Sequence, residues 1–187
     1  MPMFTKKLLT TAAVASVLFS GIAFAAMKDP DVGGAAMYPT KTIVENAVNS
    51  KDHTTLVAAV KAAGLVDTLQ SAGPFTVFAP TNAAFDKLPE GTVATLVKPE
   101  NKAMLTKILT YHVVAGKLSA EDLTQMVKDG GGQATLKTVE GDQLTVKRQG
   151  HHLELIDAKG DVSTITIKDV FQSNGVIHVI NTVLLPG

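Results

Sequence analysis

The sequence predicts an α+β fold in which helices come first and strands second. Between Thr42 and Gly130 the apolar residues recur mostly at helical spacing, with short apolar strands at Phe75–Phe78 and Val113-Val114. From Ala134 onward the period changes to two, as in strands with one solvated face. This order favours α+β over the alternating helices and strands of a parallel sheet. The sequence contains no internal repeat and is short enough for one domain.

The first part of the chain contains several short predicted helices, each with apolar residues on one side. In order, they are Thr42–Val48, a helix that begins near Asp52 or Thr54 and ends at Ala63, Leu65–Gln70, a turn after Thr81 or Asn82, Thr92–Val97, and a helix from Pro99 to Tyr111. Asp52 or Thr54 is the expected N-cap of the second helix, and Gly64 is its C-cap. Ser119 is expected to cap a further helix, with Asp122 completing a capping box.

The second part is predicted to consist mainly of strands separated by glycine-containing turns. The predicted strands are Val113-Val114, Ala134–Val139, Leu144–Lys147, His151–Ile156, Val162–Lys168 and Val176–Leu185. Asn174-Gly175 is a strong signal for a tight turn before the last strand. The last strand is apolar on both faces, so we expect it to lie in the centre of the sheet.

Residues 1–25 are interpreted as a signal peptide. Lys6 and Lys7 form its positive segment, Leu8–Phe24 is apolar, and Ala23-Phe24-Ala25 is a small-x-small cleavage pattern. An uncleaved membrane anchor is the alternative, because the apolar run is near the lower limit for spanning a bilayer. Cleavage after Ala25 leaves 162 of the 187 residues, which are expected to be secreted or periplasmic without stable membrane insertion.

Residues 26–37 are interpreted as a linker, because Pro30, Gly33 and Gly34 interrupt any apolar period. The folded domain is therefore expected to span residues 38–187.

The composition excludes several classes of function. The chain has no cysteine, so disulfides and thiolate metal sites are absent. Without Lys6 and Lys7, 15 basic and 17 acidic residues remain, which gives a net charge of about −2. This charge provides no electrostatic basis for binding nucleic acid.

Three motifs in order resemble those of a known family. They are Phe-Thr-Val-Phe-Ala-Pro-Thr-Asn within Gly73–Pro89, Tyr111-His112-Val113-Val114, and Ser-Asn-Gly-Val-Ile-His-Val-Ile-Asn-Thr-Val-Leu-Leu-Pro at Ser173–Pro186. The first and third resemble the two signatures of the fasciclin (FAS1) domain family, and the second resembles its tyrosine–histidine element. The resemblance implies a β-wedge of two small, mostly antiparallel sheets with short helices packed alongside. The signature residues for which it implies structural roles are Phe75, Phe78, Pro80, Thr81, Asn82, Phe85, Asn174, Gly175, His178 and Pro186.

The resemblance also implies a secreted, non-enzymatic adhesion or interaction module that contacts protein or glycan at a cell surface or matrix. In some members the tyrosine–histidine element, here Tyr111 and His112, is implicated in integrin-mediated adhesion. Asp169-Val170 lies where relatives have an aspartate–isoleucine element that is credited with the same role. Val170 departs from the isoleucine, and Asn181 departs from an aspartate that is common in the family. The alternative for Tyr111 and His112 is a buried ring beside a histidine with a fixed hydrogen bond.

A second function remains open, namely an exported carrier or sensor of small ligands with an apolar crevice lined by Tyr111, Phe85 and Phe171. His178 alternates with apolar residues, so it is expected to be a neutral, hydrogen-bonded residue facing an interior layer.

Metal binding and catalysis are not expected. His151 and His152 are adjacent in a predicted strand, so their rings point to opposite faces and cannot easily share an ion. No Gly-x-Ser-x-Gly setting or carboxylate pair predicts catalysis. We therefore expect no cofactor, no metal and no nucleic-acid partner, and we expect a monomer.

Overall fold

The computed structural model describes residues 29–187, and the predicted signal peptide with its cleavage site lies outside them. The helices in this range are α1 (Ile43–Ala47), α2 (Thr54–Ala63), α3 (Val66–Gln70), α4 (Asn82–Phe85), α5 (Thr92–Leu96), α6 (Lys102–Tyr111) and α7 (Ala120–Asp129). The strands are β1 (Asp31–Val32), β2 (Ala35–Ala36), β3 (Phe75–Pro80), β4 (Val113–Ala115), β5 (Gln133–Lys137), β6 (Gln143–Gln149), β7 (His152–Ile156), β8 (Val162–Gln172) and β9 (Gly175–Ile180). None of these helices is both long and apolar enough to cross a bilayer.

Strand β8 joins the two halves of a seven-stranded sheet with the order β4-β3-β9-β8-β7-β6-β5. The first residues of β8, Val162 to Thr164, pair with β7, and Ile165 to Gln172 pair with β9. Strands β3 and β9 are parallel, whereas the other pairs in this sheet are antiparallel. The predicted α+β class, with a mostly antiparallel sheet and short helices alongside, is confirmed. The two small sheets share strand β8 and therefore form one continuous hydrogen-bonded sheet.

Two apolar cores pack against the central strands. Alternation along β3 places Val77 and Ala79 in one core and Phe78 in the other. The first, which we call the helical core, contains buried residues that include Ile43, Leu56, Val60, Leu69, Leu105 and Ile108. The second, which we call the hairpin core, contains buried residues that include Phe78, Tyr111, Leu123, Leu144, Val146 and Leu155. Strand β3 is therefore the packing centre that its apolar sequence indicates.

Residues 29–37, the described part of the segment interpreted as a linker, include a hairpin that packs against the helical core. Strands β1 and β2 pair around Gly33 and Gly34, whose φ angles are 64° and 76°. Two successive residues with positive φ are typical of a two-residue hairpin turn. Val32 and Met37, on either side, are buried in the helical core. The two glycines thus form a tight turn within the folded structure.

The turn before β9 lies one residue earlier than Asn174-Gly175. Gln172 pairs with Gly175, so the turn consists of Ser173 and Asn174. Gly175 is already part of the strand, and a Cβ atom there would collide with the Phe75 carbonyl oxygen. The glycine is needed for the close approach of β3 and β9, and it has no positive φ.

The last strand ends at Ile180, earlier than the predicted Leu185. After Ile180 the chain leaves the ladder, and the Asn181 side-chain oxygen accepts a hydrogen bond from the Thr164 N–H at 3.0 Å. Val183 and Leu184 remain buried outside the sheet, which explains why this apolar run resembles a strand.

Candidate functional site

Tyr111 is the last residue of α6, and its side chain is fully buried in the hairpin core. Its hydroxyl donates a hydrogen bond to the Gln143 carbonyl at 2.8 Å and accepts one from the Ala158 N–H at 3.0 Å. Burial raises the pKa of this phenol to about 12, so it stays neutral. The hydroxyl therefore ties the end of α6 to the start of β6 and to the turn after β7.

His112 follows Tyr111 and is also buried. Its Nε2 lies 2.9 Å from the Leu184 N–H and must accept that hydrogen, so the ring proton is on Nδ1. Nδ1 donates to the Ile108 carbonyl at 2.8 Å. Burial lowers the pKa of His112 to about 4, although the Ile108 carbonyl and Asp157 oppose the shift. His112 is therefore a neutral link between α6 and the C-terminal segment.

These contacts confirm the interpretation of Tyr111 as a buried ring and of His112 as a histidine with a fixed hydrogen bond. Both polar tips already have internal partners. A partner molecule could contact either side chain only after the junction between α6 and β4 opened.

Asp169 interrupts β8 with a φ of 59°, a conformation that is uncommon for residues other than glycine. Its Oδ1 accepts a hydrogen bond from the Ala120 N–H at 2.7 Å, at the first residue of α7. A carboxylate in this position satisfies a free N–H and interacts favourably with the helix dipole. Asp169 is half-buried, and its hydrogen bond stabilises the start of α7. The adjacent Val170 is completely buried in the helical core.

His178 connects the same region to the centre of the sheet. Its Nδ1 accepts a hydrogen bond from the Asp169 N–H at 3.3 Å, which leaves the proton on Nε2. Nε2 donates to the Leu118 carbonyl at 2.8 Å, and the ring stacks on Phe78 with centroids 5.8 Å apart. Burial lowers the pKa of His178. The prediction of a neutral interior histidine is confirmed.

The first signature forms β3 and α4, as predicted. The Thr81 side chain caps α4 by accepting a hydrogen bond from its backbone. Phe78, Pro80 and Phe85 are buried, and Phe75 is half-buried.

Asn82 has a role that the sequence did not reveal. Its Oδ1 accepts a hydrogen bond from the Thr55 N–H at 3.0 Å, and its Nδ2 donates to the Lys51 carbonyl at 2.8 Å. Asn82 therefore supplies hydrogen-bond partners to backbone groups at the start of α2, although it lies in a distant part of the sequence. The prediction that Asp52 or Thr54 caps α2 is wrong, because no local side chain makes a capping hydrogen bond there.

Asn174 ties the second signature to the helices. Its Oδ1 accepts a hydrogen bond from the Ile43 N–H at 3.0 Å, and its Nδ2 donates to the carbonyls of Leu69 and Ser71 at 2.7 and 3.0 Å. The side chain thereby joins α1 and the end of α3 to the turn before β9. Pro186, the last signature residue, is buried.

Phe171 is the exposed aromatic residue beside Asp169 and Val170. Its side chain is 39% exposed, and the Lys117 ammonium lies 4.9 Å from the centroid of its ring. This distance is typical of a cation–π contact. The proposed crevice lined by Tyr111, Phe85 and Phe171 is not formed. Tyr111 belongs to the hairpin core, Phe85 to the helical core, and Phe171 to the surface.

No metal centre is assembled in the part of the chain that the structure describes. Within residues 29–187 no group of three histidine, cysteine, aspartate or glutamate side chains could hold a metal ion. His151 and His152 are both exposed at the turn between β6 and β7.

Comparison with known proteins identifies relatives of this fold and sequence. The family model of the fasciclin domain matches residues 51–186. Protein sll1483 of Synechocystis sp. is 48% identical over 159 residues, which cover 85% of this chain and 81% of that protein. The cell surface glycolipoprotein MPB83 of Mycobacterium bovis is 37% identical in an alignment of 194 positions, gaps included, that covers 95% of this chain and 77% of that protein. A solved pair of FAS1 domains from the insect cell adhesion molecule fasciclin I superposes with a TM-score of 0.70 at 21% identity, covering 81% of this chain and 52% of that one.

Proposed function

This chain belongs to the fasciclin domain family, and on that premise we propose that it is a non-enzymatic interaction module. It is exported and contacts protein or glycan at a cell surface or matrix. The signal-peptide pattern at residues 1–25 supports export, and MPB83 is by its name a cell-surface protein.

The proposed contact surface lies on the outside of β8. Tyr111, His112 and His178 have their polar atoms engaged in internal hydrogen bonds, and Val170 is buried. These residues support the fold and do not offer groups to a partner in this conformation.

The exposed ring of Phe171, with the Lys117 ammonium over it, is the observation that carries the proposal. An exposed aromatic residue beside a cation presents both an apolar surface and a charge, and aromatic residues dominate the energetics of many interfaces. Phe171 follows Asp169 by two residues, so the surface includes the region of the aspartate–isoleucine element of relatives.

Binding to an array of matrix proteins, glycans and intact cells tests the proposal. The protein is displayed in many copies on beads, because one small module binds weakly and gains strength by multivalency. Phe171→Ala is expected to weaken binding about tenfold or more, as for an aromatic hot spot. Val162→Ala is the matched control, because Val162 is an exposed apolar residue of the same strand, 49% exposed.

Binding that Phe171→Ala leaves unchanged would contradict the proposed surface. An array on which the wild-type protein binds nothing would contradict the interaction module itself.

A further inference from the structure

The helical core contains a cavity of about 70 Å³ between helices α1, α2, α3 and α6 and the central strands. Its wall is almost wholly apolar and includes Val44, Leu56, Leu69, Val77 and Ile177. Lys61 of α2 and Thr68 of α3 also line it and are exposed, which places an opening between these two helices.

The size of the cavity limits what it can hold. One water molecule occupies about 10–15 Å³ of such a cavity, so the space corresponds to about five waters or to a compact organic molecule of about five heavy atoms. Apolar walls offer water few hydrogen bonds, and such cavities favour apolar guests.

His53 is one of the few polar residues that line this cavity, together with Lys61, Thr68, Thr110 and His112. The ring is 3% exposed, and its Nδ1 lies 2.9 Å from the Ser50 hydroxyl. Ser50 is also buried, and this ring nitrogen is the one hydrogen-bond partner of its hydroxyl among the described residues. The hydroxyl therefore donates to Nδ1, and the ring proton is on Nε2.

The Nε2–H of His53 has no hydrogen-bond partner among the described residues. Burial lowers the pKa of His53, and the Ala79 carbonyl opposes the shift without making a hydrogen bond to Nε2. The ring is thus neutral and has one free donor. A buried donor without an acceptor is costly, so a ligand that supplies the acceptor would gain affinity from it.

We propose that this cavity binds a compact, apolar small molecule with one oxygen acceptor, which receives the hydrogen of His53 Nε2. The apolar wall selects against charged and strongly polar molecules, and the volume selects against large ones. This activity is separate from the contact surface at Phe171 and does not depend on it.

Cyclobutanone and methylenecyclobutane are suitable probes, because they share size and shape and only the ketone has an oxygen acceptor. Their binding to the full chain is measured by titration with ¹H–¹⁵N NMR, including the His53 ring nitrogens. We expect both to bind, with the ketone roughly three- to tenfold tighter, as one hydrogen bond would give. His53→Phe is expected to abolish the difference between the two probes.

A second pair of variants tests the cavity independently of His53. Val57 is half-buried and lines the cavity, so Val57→Phe is expected to fill it and abolish binding of both probes. Val93→Phe is the matched control, since Val93 is half-buried, packs against the same core and does not line the cavity.

Three results would each overturn the proposal. They are failure of both probes to bind, equal affinity for the two probes in the wild-type protein, and binding that persists in a folded Val57→Phe variant.

Discussion

The helical core and the hairpin core share the central strands but are packed differently. In the hairpin core Phe78, Tyr111, Leu144, Val146 and Leu155 are each completely buried, and the Tyr111 hydroxyl has both a donor and an acceptor as partners. The helical core contains the cavity, and the Nε2 of His53 in its wall has no hydrogen-bond partner within residues 29–187.

The two cores also differ in the elements that cover them. Beside the ten-residue helices α2 and α6, the helical core is covered by α1 and α3, which have five residues each, fewer than two turns, so these two cannot cover the sheet continuously. The hairpin core is closed by α7, which has ten residues, and by strands β5 to β8. Apolar composition alone therefore does not determine how densely a core packs.

The largest expected effect compares two phenylalanines on β3. Phe78→Ala removes a ring that is completely buried and stacked on His178, and it should lower the free energy of unfolding by about 3–5 kcal/mol. Phe75→Ala should cost less, about 1–2 kcal/mol, because Phe75 is only half-buried.

Urea denaturation of both variants measures this difference directly. Equal losses of unfolding free energy in the two variants would contradict the distinction between the two sides of β3. A smaller loss for Phe78→Ala than for Phe75→Ala would contradict it more strongly.

The next effect is acid destabilisation through His112. Its pKa is about 4 in the folded protein against an ordinary 6.5, so between these pH values the unfolded state binds a proton that the folded state does not. The free energy of unfolding should therefore fall as the pH decreases from 6.5 to 4, by on the order of 3 kcal/mol for this group. Burial lowers the pKa of His53 and His178 as well, so they add to the loss.

Measuring the free energy of unfolding at a series of pH values separates the contribution of His112 to the acid destabilisation. His112→Gln should be less stable at neutral pH but should show a shallower decline between pH 6.5 and 4. His151→Gln, which removes an exposed ring, is the control and should keep the wild-type slope. A decline unchanged by His112→Gln would show that His112 does not carry it.

Much of the fold could be predicted because its signals are local. Apolar periodicity located the helices and strands, and the capping box of Ser119 and Asp122 formed as predicted. The burial of His178 followed from alternation along one strand. In each case the residues that specify the structure are neighbours in the sequence.

The rest depends on contacts between distant residues. Asn82 caps α2 from 27 residues away, and Asn174 holds α1 from 131 residues away, so no local pattern reveals either role. In the sequence, Gly33 and Gly34 indicate a linker. In the structure they form the turn of a hairpin in which Val32 is buried. The cavity beside His53 was likewise invisible, because it is a property of how short helices meet the sheet.

The most direct test of the contrast between the cores adds one methylene group to each. Val60 lines the cavity in the helical core, and Val146 is completely buried in the hairpin core. Urea denaturation should show Val60→Ile to be neutral or slightly stabilising, whereas Val146→Ile should lose about 1–3 kcal/mol through overpacking. Equal losses in the two variants, or a larger loss for Val60→Ile, would contradict the account of one dense core and one hollow core.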